Sequence, residues 1–258
     1  MDRQGQKWSR EETILAFDLY CRTPFSKISQ TNPEIIALAK LLGRSPGSVG
    51  LKMHNLAHYD PELQKRNVVA MAHGSKLDKE IWDEFNESSE ELAFVAIKLL
   101  SEYRNERIER IFDLGDMEYI PEGKERDQIV KSRIGQYYFR LSVLNSYENK
   151  CCITGIDIPE LLIASHIKPW NICTNKEKTN PTNGLSLNAF HDKAFDCGLI
   201  TVDKKLIIHV SDKIKKNNIQ DKSREWLMHY DGEKILLPSK FYPSKECLEY
   251  HNDVVFQH

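Results

Sequence analysis

The chain lacks the features that mark several large classes of protein. None of its six cysteines forms a C-x-x-C pair, and structural zinc sites usually rest on two such pairs, so no structural zinc is predicted. No apolar run approaches the roughly eighteen residues of a membrane span, and the N-terminal stretch MDRQGQKWSREE has no apolar signal core. These absences predict a cytoplasmic protein with free, packed thiols and no membrane partner.

A strong net charge of either sign is also absent, since the 258 residues sum to −2. Residues 1–72 carry 10 basic and 7 acidic side chains, residues 73–124 carry 7 and 14, and residues 125–258 carry 19 and 17. The whole-molecule field would therefore not attract phosphate, and any nucleic acid would have to be bound by a local basic patch. The apolar fraction of 40% is that of a folded globular protein.

Residues 1–72 have the pattern of a small helical module. Three N-cap residues and a stop glycine delimit its helices: Ser9, Asn32, Ser45 and Gly43. The second helix, a tight turn and a third helix predict a helix-turn-helix-like arrangement. Arg44 and Lys52 lie on or beside the third helix, so the module either contacts DNA through them or is a scaffold with a solvated polar face.

Two further segments follow. The acidic residues 73–124 predict a helical connector, whose charge disfavours contact with phosphate. The third segment, residues 125–258, opens with a predicted helix that carries Arg133 and Arg140 two turns apart, on one side. These two arginines either form a phosphate-binding ridge or are simply solvated.

Residues 151–211 combine side chains that suit phosphodiester hydrolysis. A short apolar strand carries His166, a loop ends at Asn183, and a helix that stops at Gly198 carries His191. A neutral imidazole can take a proton from water near neutral pH, a divalent cation can stabilise charge on the phosphate, and a helix holds metal ligands stiffly. An asparagine in a loop can fasten the backbone that orients the base. The stretch LITVDKKLIIHVS then predicts a β-hairpin.

The ordered motifs ITG, LLIASHIKPW and NPTNGLSLNAFHDKAFDCGLITVD resemble those of the HNH endonucleases, the ββα-metal or His-Me finger nucleases, and in particular a restriction-endonuclease branch. The resemblance covers roughly residues 126–258. It implies an α+β protein whose C-terminal domain, residues 125–258, has the ββα-metal fold. It also implies that His166 is the general base, that Asn183 positions the loop that orients it, and that His191 is a metal ligand.

One position departs from the family pattern. Many members have an aspartate directly before the first histidine as a metal ligand, and here that residue is Ser165. A second ligand is therefore expected from the helix, first from Asp196 and then from Asp192, four residues apart on one face. Mg²⁺ is the expected ion, with Mn²⁺ or Ni²⁺ as alternatives because of the imidazole ligand. Lys168 and Lys193 flank the site and either contact phosphate or are solvated.

The resemblance implies a metal-dependent endonuclease that cuts double-stranded DNA, in bacterial restriction or phage defence. A double-strand cutter with one site per chain favours a homodimer. Two alternatives stay open on the sequence. One is a DNA-binding or regulatory protein with a degenerate HNH domain, which Ser165 keeps in view, and the other is a nuclease that acts on RNA.

Overall fold

A computed structural model describes residues 5–65, 74–86, 88–108, 124–216 and 222–258. The chain divides into two compact units, Met1–Ser142 and Val143–His258. The predicted connector, residues 73–124, falls within the first unit, although its residues 73, 87 and 109–123 lie outside the described part. No helix among the described residues has the length and apolarity that a membrane span requires.

The described part of the first unit is helical. Its helices are α1 Arg10–Arg22, α2 Pro33–Leu42, α3 Pro46–Ala57, α4 Pro61–Lys65, α5 Lys76–Phe85, α6 Ser89–Arg104 and α7 Lys124–Ser146, the last of which runs past Ser142. Helix α1 lies at the centre, with α2, α3, α5 and α6 packed against it. Its residues from Glu12 to Cys21 are therefore all buried.

The caps expected from the sequence are present. Ser9 Oγ accepts the Glu12 amide while the Glu12 carboxylate accepts the Ser9 amide, which is a capping box. Asn32 caps α2 and Ser45 caps α3 through their side-chain oxygens. Gly43 ends α2 with φ +65°, a left-handed conformation that costs glycine little. These residues confirm the predicted helix boundaries, while a helix-turn-helix function stays a prediction.

The second unit contains a strand–strand–helix motif. Strand β1 (Leu162–His166) pairs antiparallel with β2 (Gly184–Asn188), so that His166 lies opposite Gly184. In the connection between them, residues Asn175–Thr179 form the short helix α8. Helix α9 (Ala189–Asp196) follows β2 directly and packs on both strands. The predicted order of strand, loop, short strand and helix is confirmed.

A second antiparallel hairpin, β3 (Ile200–Val202) and β4 (Ile208–Val210), follows α9 as predicted. The other α-helices in the described part of the unit are α10 Asp212–Lys215, α11 Lys222–His229 and α12 Lys245–Tyr250, and α12 continues into a π-helical turn, His251–Val255. Small antiparallel sheets beside many helices agree with the predicted α+β class.

Candidate active site

His166 lies at the end of β1, where the strand stops before Pro169. Its Nε2 lies 2.8 Å from the backbone oxygen of Lys178. A carbonyl oxygen only accepts hydrogen bonds, so Nε2 carries the proton and the lone pair of the neutral ring is on Nδ1. Burial lowers the pKa of His166 from its ordinary 6.5, and the hydrogen bond to Lys178 opposes this shift. The ring is therefore neutral at pH 7, in the form that can act as a base.

Asn183 fastens the loop that supplies this carbonyl. Its side chain is buried, its Oδ1 accepts the Lys168 amide at 2.8 Å, and its Nδ2 donates to the Glu177 carbonyl at 3.2 Å. Its own carbonyl accepts the Ile167 amide at 3.0 Å, directly after His166. Asn183 thus ties the end of β1 to the segment that orients the imidazole, which is the arrangement that its predicted role requires.

The same loop is braced by charged and aromatic side chains. Lys168 Nζ forms an ion pair with Glu177 at 2.7 Å, so its charge is already compensated within the loop. Lys178 Nζ lies 5.4 Å from the centroid of the Trp170 ring, and that ring meets His166 edge-on with centroids 5.3 Å apart. These contacts hold the wall of the site around the histidine.

One cavity of about 470 Å³ brings the expected acid and base groups together. Its lining includes residues from β1, the following loop, α9 and the C-terminal turn: Ser165, His166, Trp170, Asp192, Asp196 and His251. Asp192 and Asp196 meet there because residues four apart lie on one face of a helix, and α9 ends at Asp196, two residues before the predicted stop at Gly198. Burial raises the pKa of Asp196, and the charge of Asp192 raises it further while Lys193 opposes the shift. A cation at this face would relieve the repulsion between the carboxylates.

His191, the expected metal ligand, does not line this cavity. It is 1% exposed, and its Nδ1 lies 2.9 Å from Asn188 Nδ2 and 3.2 Å from Asn188 Oδ1. One residue along a helix turns the side chain by about 100°, which aims His191 away from the face of Asp192. It lies instead among aromatic rings of α9 and the region of α11: Phe190, Trp226 and Tyr230.

The chemistry of His191 is that of a neutral core residue. Burial lowers its pKa to about 4. Its buried Nε2 has no hydrogen-bond partner among the described residues. The Trp226 ring lies 4.8 Å away at 73°, an edge-to-face arrangement.

The donor set at the cavity fits a hard divalent cation. Among the described residues, no group of three or more His, Cys, Asp or Glu side chains is arranged to hold a metal. Two carboxylates are nevertheless what a protein commonly offers Mg²⁺, with the other positions taken by waters and substrate phosphate. Ser165 is buried, and its Oγ has no hydrogen-bond partner within the described ranges.

Two cations expected to contact DNA lie inside the first unit. Arg44 forms an ion pair with Glu12 at 2.6 Å, and Lys52 forms one with Asp78 at 2.5 Å. All four side chains are at most 6% exposed, and both cations lie over the ring of Trp8. This placement is at odds with the expected phosphate contact, because a cation neutralised by a buried carboxylate does not face a nucleic acid.

The other expected contacts have mixed surroundings. Arg133 and Arg140 are exposed on the part of α7 that belongs to the first unit. Lys193 is exposed on α9, next to Asp192. The sequence alone did not indicate His251, because its neighbours in the cavity come from distant parts of the chain. Nor did it indicate the rings around His191.

Comparison with known proteins agrees with this geometry. Residues 151–203 match the family model of the HNH endonucleases, and the matched segment contains β1, β2, α9 and β3. A comparison with curated proteins gives no match. Residues 151–203 of this chain are therefore an HNH endonuclease domain.

Proposed function

We propose that this protein is a metal-dependent endonuclease that hydrolyses phosphodiester bonds in DNA. The observation that carries the proposal is the cavity that joins the neutral His166 to the carboxylates of Asp192 and Asp196. A base and a cation-binding face within one cavity are what attack by water on a phosphodiester needs.

His166 is the general base of the proposed reaction. Nδ1 takes a proton from water as the water oxygen bonds to phosphorus and the bond to the leaving ester oxygen breaks. The Lys178 carbonyl accepts a hydrogen bond from Nε2 and thereby stabilises the imidazolium that forms. Asn183 keeps that carbonyl in place, so its effect on the reaction passes through the orientation of the ring.

Asp192 and Asp196 would hold the divalent cation. When bound, the cation stabilises negative charge on the scissile phosphate and on the leaving oxygen. Because His191 does not line the cavity, the donors are carboxylates, which favour Mg²⁺ or Mn²⁺ over Ni²⁺.

The proposal also names side chains that contact the nucleic acid. Lys193 is suited to phosphate because it is exposed beside Asp192, and Arg133 and Arg140 remain proposed contacts from α7. Arg44 and Lys52 are left out because they are buried in ion pairs. From the family resemblance we also propose that the substrate is double-stranded DNA, that the protein acts as a homodimer, and that it serves in restriction or phage defence.

The test is cleavage of plasmid DNA and, separately, of RNA, with Mg²⁺ or Mn²⁺ and with EDTA. We expect DNA cleavage that requires the cation and a 10²- to 10⁴-fold lower rate for His166→Ala, the range that a positioned base contributes. Asp192→Ala should lose activity that extra cation partly restores. The control is His209→Ala, since His209 lies on β4 and is not part of the cavity lining.

Three outcomes would contradict the proposal. If the wild-type protein shows no cation-dependent cleavage under any condition, the proposed nuclease function is wrong. Equal rates for wild type and His166→Ala would remove the assigned base. Cleavage of RNA alone would replace DNA as the substrate.

The pH profile gives an independent check on the base. Because burial lowers the pKa of His166 below 6.5, the ring stays neutral further into the acidic range than an exposed histidine does. The acidic limb of kcat/KM should therefore have its midpoint below pH 6.5. A midpoint above pH 6.5 would contradict the environment assigned to His166.

A further inference from the structure

The end of the chain is folded against the end of α9 that carries Asp196. His251 is 2% exposed, its Nε2 donates to the Phe195 carbonyl at 3.1 Å, and its ring stacks on Phe195 with centroids 3.7 Å apart and an angle of 11°. Its Nδ1 lies 2.8 Å from the Thr201 hydroxyl, which donates to it. His251 therefore links the last turn of α9 to β3.

The residues directly after Asp196 are held by the same terminal segment. Gly198 has φ +65°, and a Cβ there would overlap the Val255 carbonyl. The two backbone segments therefore approach each other as closely as only glycine allows. The Gln257 amide donates to the Gly198 carbonyl at 2.9 Å, and Gln257 Nε2 donates to the Cys197 carbonyl at 2.6 Å.

These bonds meet a general need of helix ends. The last carbonyls of a helix have no partner within it and must find donors elsewhere. Here the Cys197 carbonyl finds its donor in Gln257, and the Phe195 carbonyl, which also accepts the Gly198 amide at 2.8 Å, accepts a second hydrogen bond from His251. His251 and Val255 also line the cavity with Asp196, so the segment that makes the bonds forms part of the site.

Asp196 depends on its backbone for its position. Within the described residues its side chain forms no hydrogen bond or ion pair. We infer that the terminal segment His251–Gln257 sets the position of Asp196 in the cavity and that His251 is a positioning residue for cation binding. This inference rests on the proposed function, because it assigns to that site a further residue that acts through Phe195.

The experiment measures Mn²⁺ binding to the full-length protein by titration calorimetry, beside single-turnover cleavage. His251→Phe keeps a ring against Phe195 but loses both hydrogen bonds. We expect Mn²⁺ to bind about 10-fold more weakly, as when a residue that orients a metal ligand is removed. The direction should match that of Asp196→Ala.

The matched control is Asn252→Ala. Asn252 belongs to the same π-helical turn, but its Nδ2 donates to the Val202 and Leu248 carbonyls and not to α9. It should lower thermal stability and leave Mn²⁺ affinity within about twofold of wild type. A chain that ends at Phe256 loses the Gln257 donors and serves as a second test if His251→Phe does not fold.

The outcomes separate this inference from the proposed function. Wild-type Mn²⁺ affinity in a folded His251→Phe protein, or in the shortened chain if that variant is unfolded, overturns the inference and leaves the nuclease proposal standing. Equal weakening by Asn252→Ala also overturns it, because the effect would then be general destabilisation. A wild-type protein that neither binds Mn²⁺ nor cleaves overturns both.

Discussion

The two units bury polar side chains in different forms. The first unit buries full charges in pairs, Arg44 with Glu12 and Lys52 with Asp78. The second unit also buries the cation of Lys240, but the buried polar side chains around its strand–strand–helix motif are neutral, above all Asn183 and the imidazoles of His191 and His251. In the second unit the carboxylates Asp192 and Asp196 are kept at the wall of a cavity.

The difference shows two uses of charged side chains: the buried pairs of the first unit connect helices, and the carboxylates of the second unit are available to a ligand. A buried ion pair costs desolvation on both partners and then resists separation, so it is a structural link between elements. A neutral imidazole or amide can orient a loop or a helix end without placing another charge beside the site. The carboxylates at the cavity of the second unit are therefore not neutralised by these neighbours and can bind a cation.

The largest expected effect comes from breaking a buried pair of the first unit. Glu12→Gln leaves the Arg44 charge buried without its carboxylate, and we expect the free energy of unfolding to fall by about 3–5 kcal/mol. Glu84→Gln is the control, because it breaks the Arg10–Glu84 pair, whose side chains are 46% and 44% exposed, and should cost less than about 1 kcal/mol. Urea unfolding, with hydrogen exchange to locate the change, distinguishes the two. Equal losses would contradict the assignment of Glu12 to a buried pair.

A smaller effect is expected from acid in the second unit. Burial lowers the pKa of His191 and that of His251 from 6.5 to about 4. Well above pH 6.5 the two imidazoles are neutral in the folded and in the unfolded protein. Between pH 6.5 and 4 they take up protons in the unfolded chain but not in the folded unit. The free energy of unfolding therefore falls over this range and then levels off. Each ring contributes on the order of 3 kcal/mol to this loss.

The measurement is urea unfolding in EDTA at several pH values, for wild type and His191→Phe. The variant should be less stable at pH 7, because Asn188 loses a partner, but its stability should fall less steeply below pH 6.5. An unchanged slope would show that folding does not lower the pKa of His191. His191 would then not be a neutral core residue.

The smallest effect is expected at Ser165, where the family pattern favours a carboxylate. Its buried Oγ lacks a hydrogen-bond partner within the described residues, so Ser165→Ala removes an unsatisfied group and should change stability by less than about 1 kcal/mol. Cleavage should stay within about twofold of wild type if Asp192 and Asp196 bind the cation. A loss of Mn²⁺ affinity comparable to that of Asp192→Ala would instead make the hydroxyl a ligand.

Local features were predictable because their causes are local. Ser9 and Gly43 delimit helices through atoms within a few residues, and the spacing of Asp192 and Asp196 places them on one helical face whatever surrounds it. The order of strand, loop, strand and helix followed from apolar runs and turn residues. The resemblance added the proposed role of His166, to which periodicity alone assigns no chemistry.

The side of a helix that meets a cavity was not predictable in the same way. His191 and Asp192 are neighbours in sequence, and only the packing of α9 on β1, together with the rings of Trp226 and Tyr230, turns the first into the core. Arg44 likewise could have faced solvent, but Glu12 lies across from it on α1.

By itself the sequence determined the strand–strand–helix order, the helix caps and the family of residues 151–203, since these depend on short stretches of chain. Only the tertiary structure decided which charged and titratable groups meet. It buried Arg44 and Lys52 in pairs, brought Asp192 and Asp196 into one cavity with His166, and brought His251 to the end of α9. The physical reason is that the protonation and the exposure of a polar group follow from its neighbours in space, which are distant along the chain.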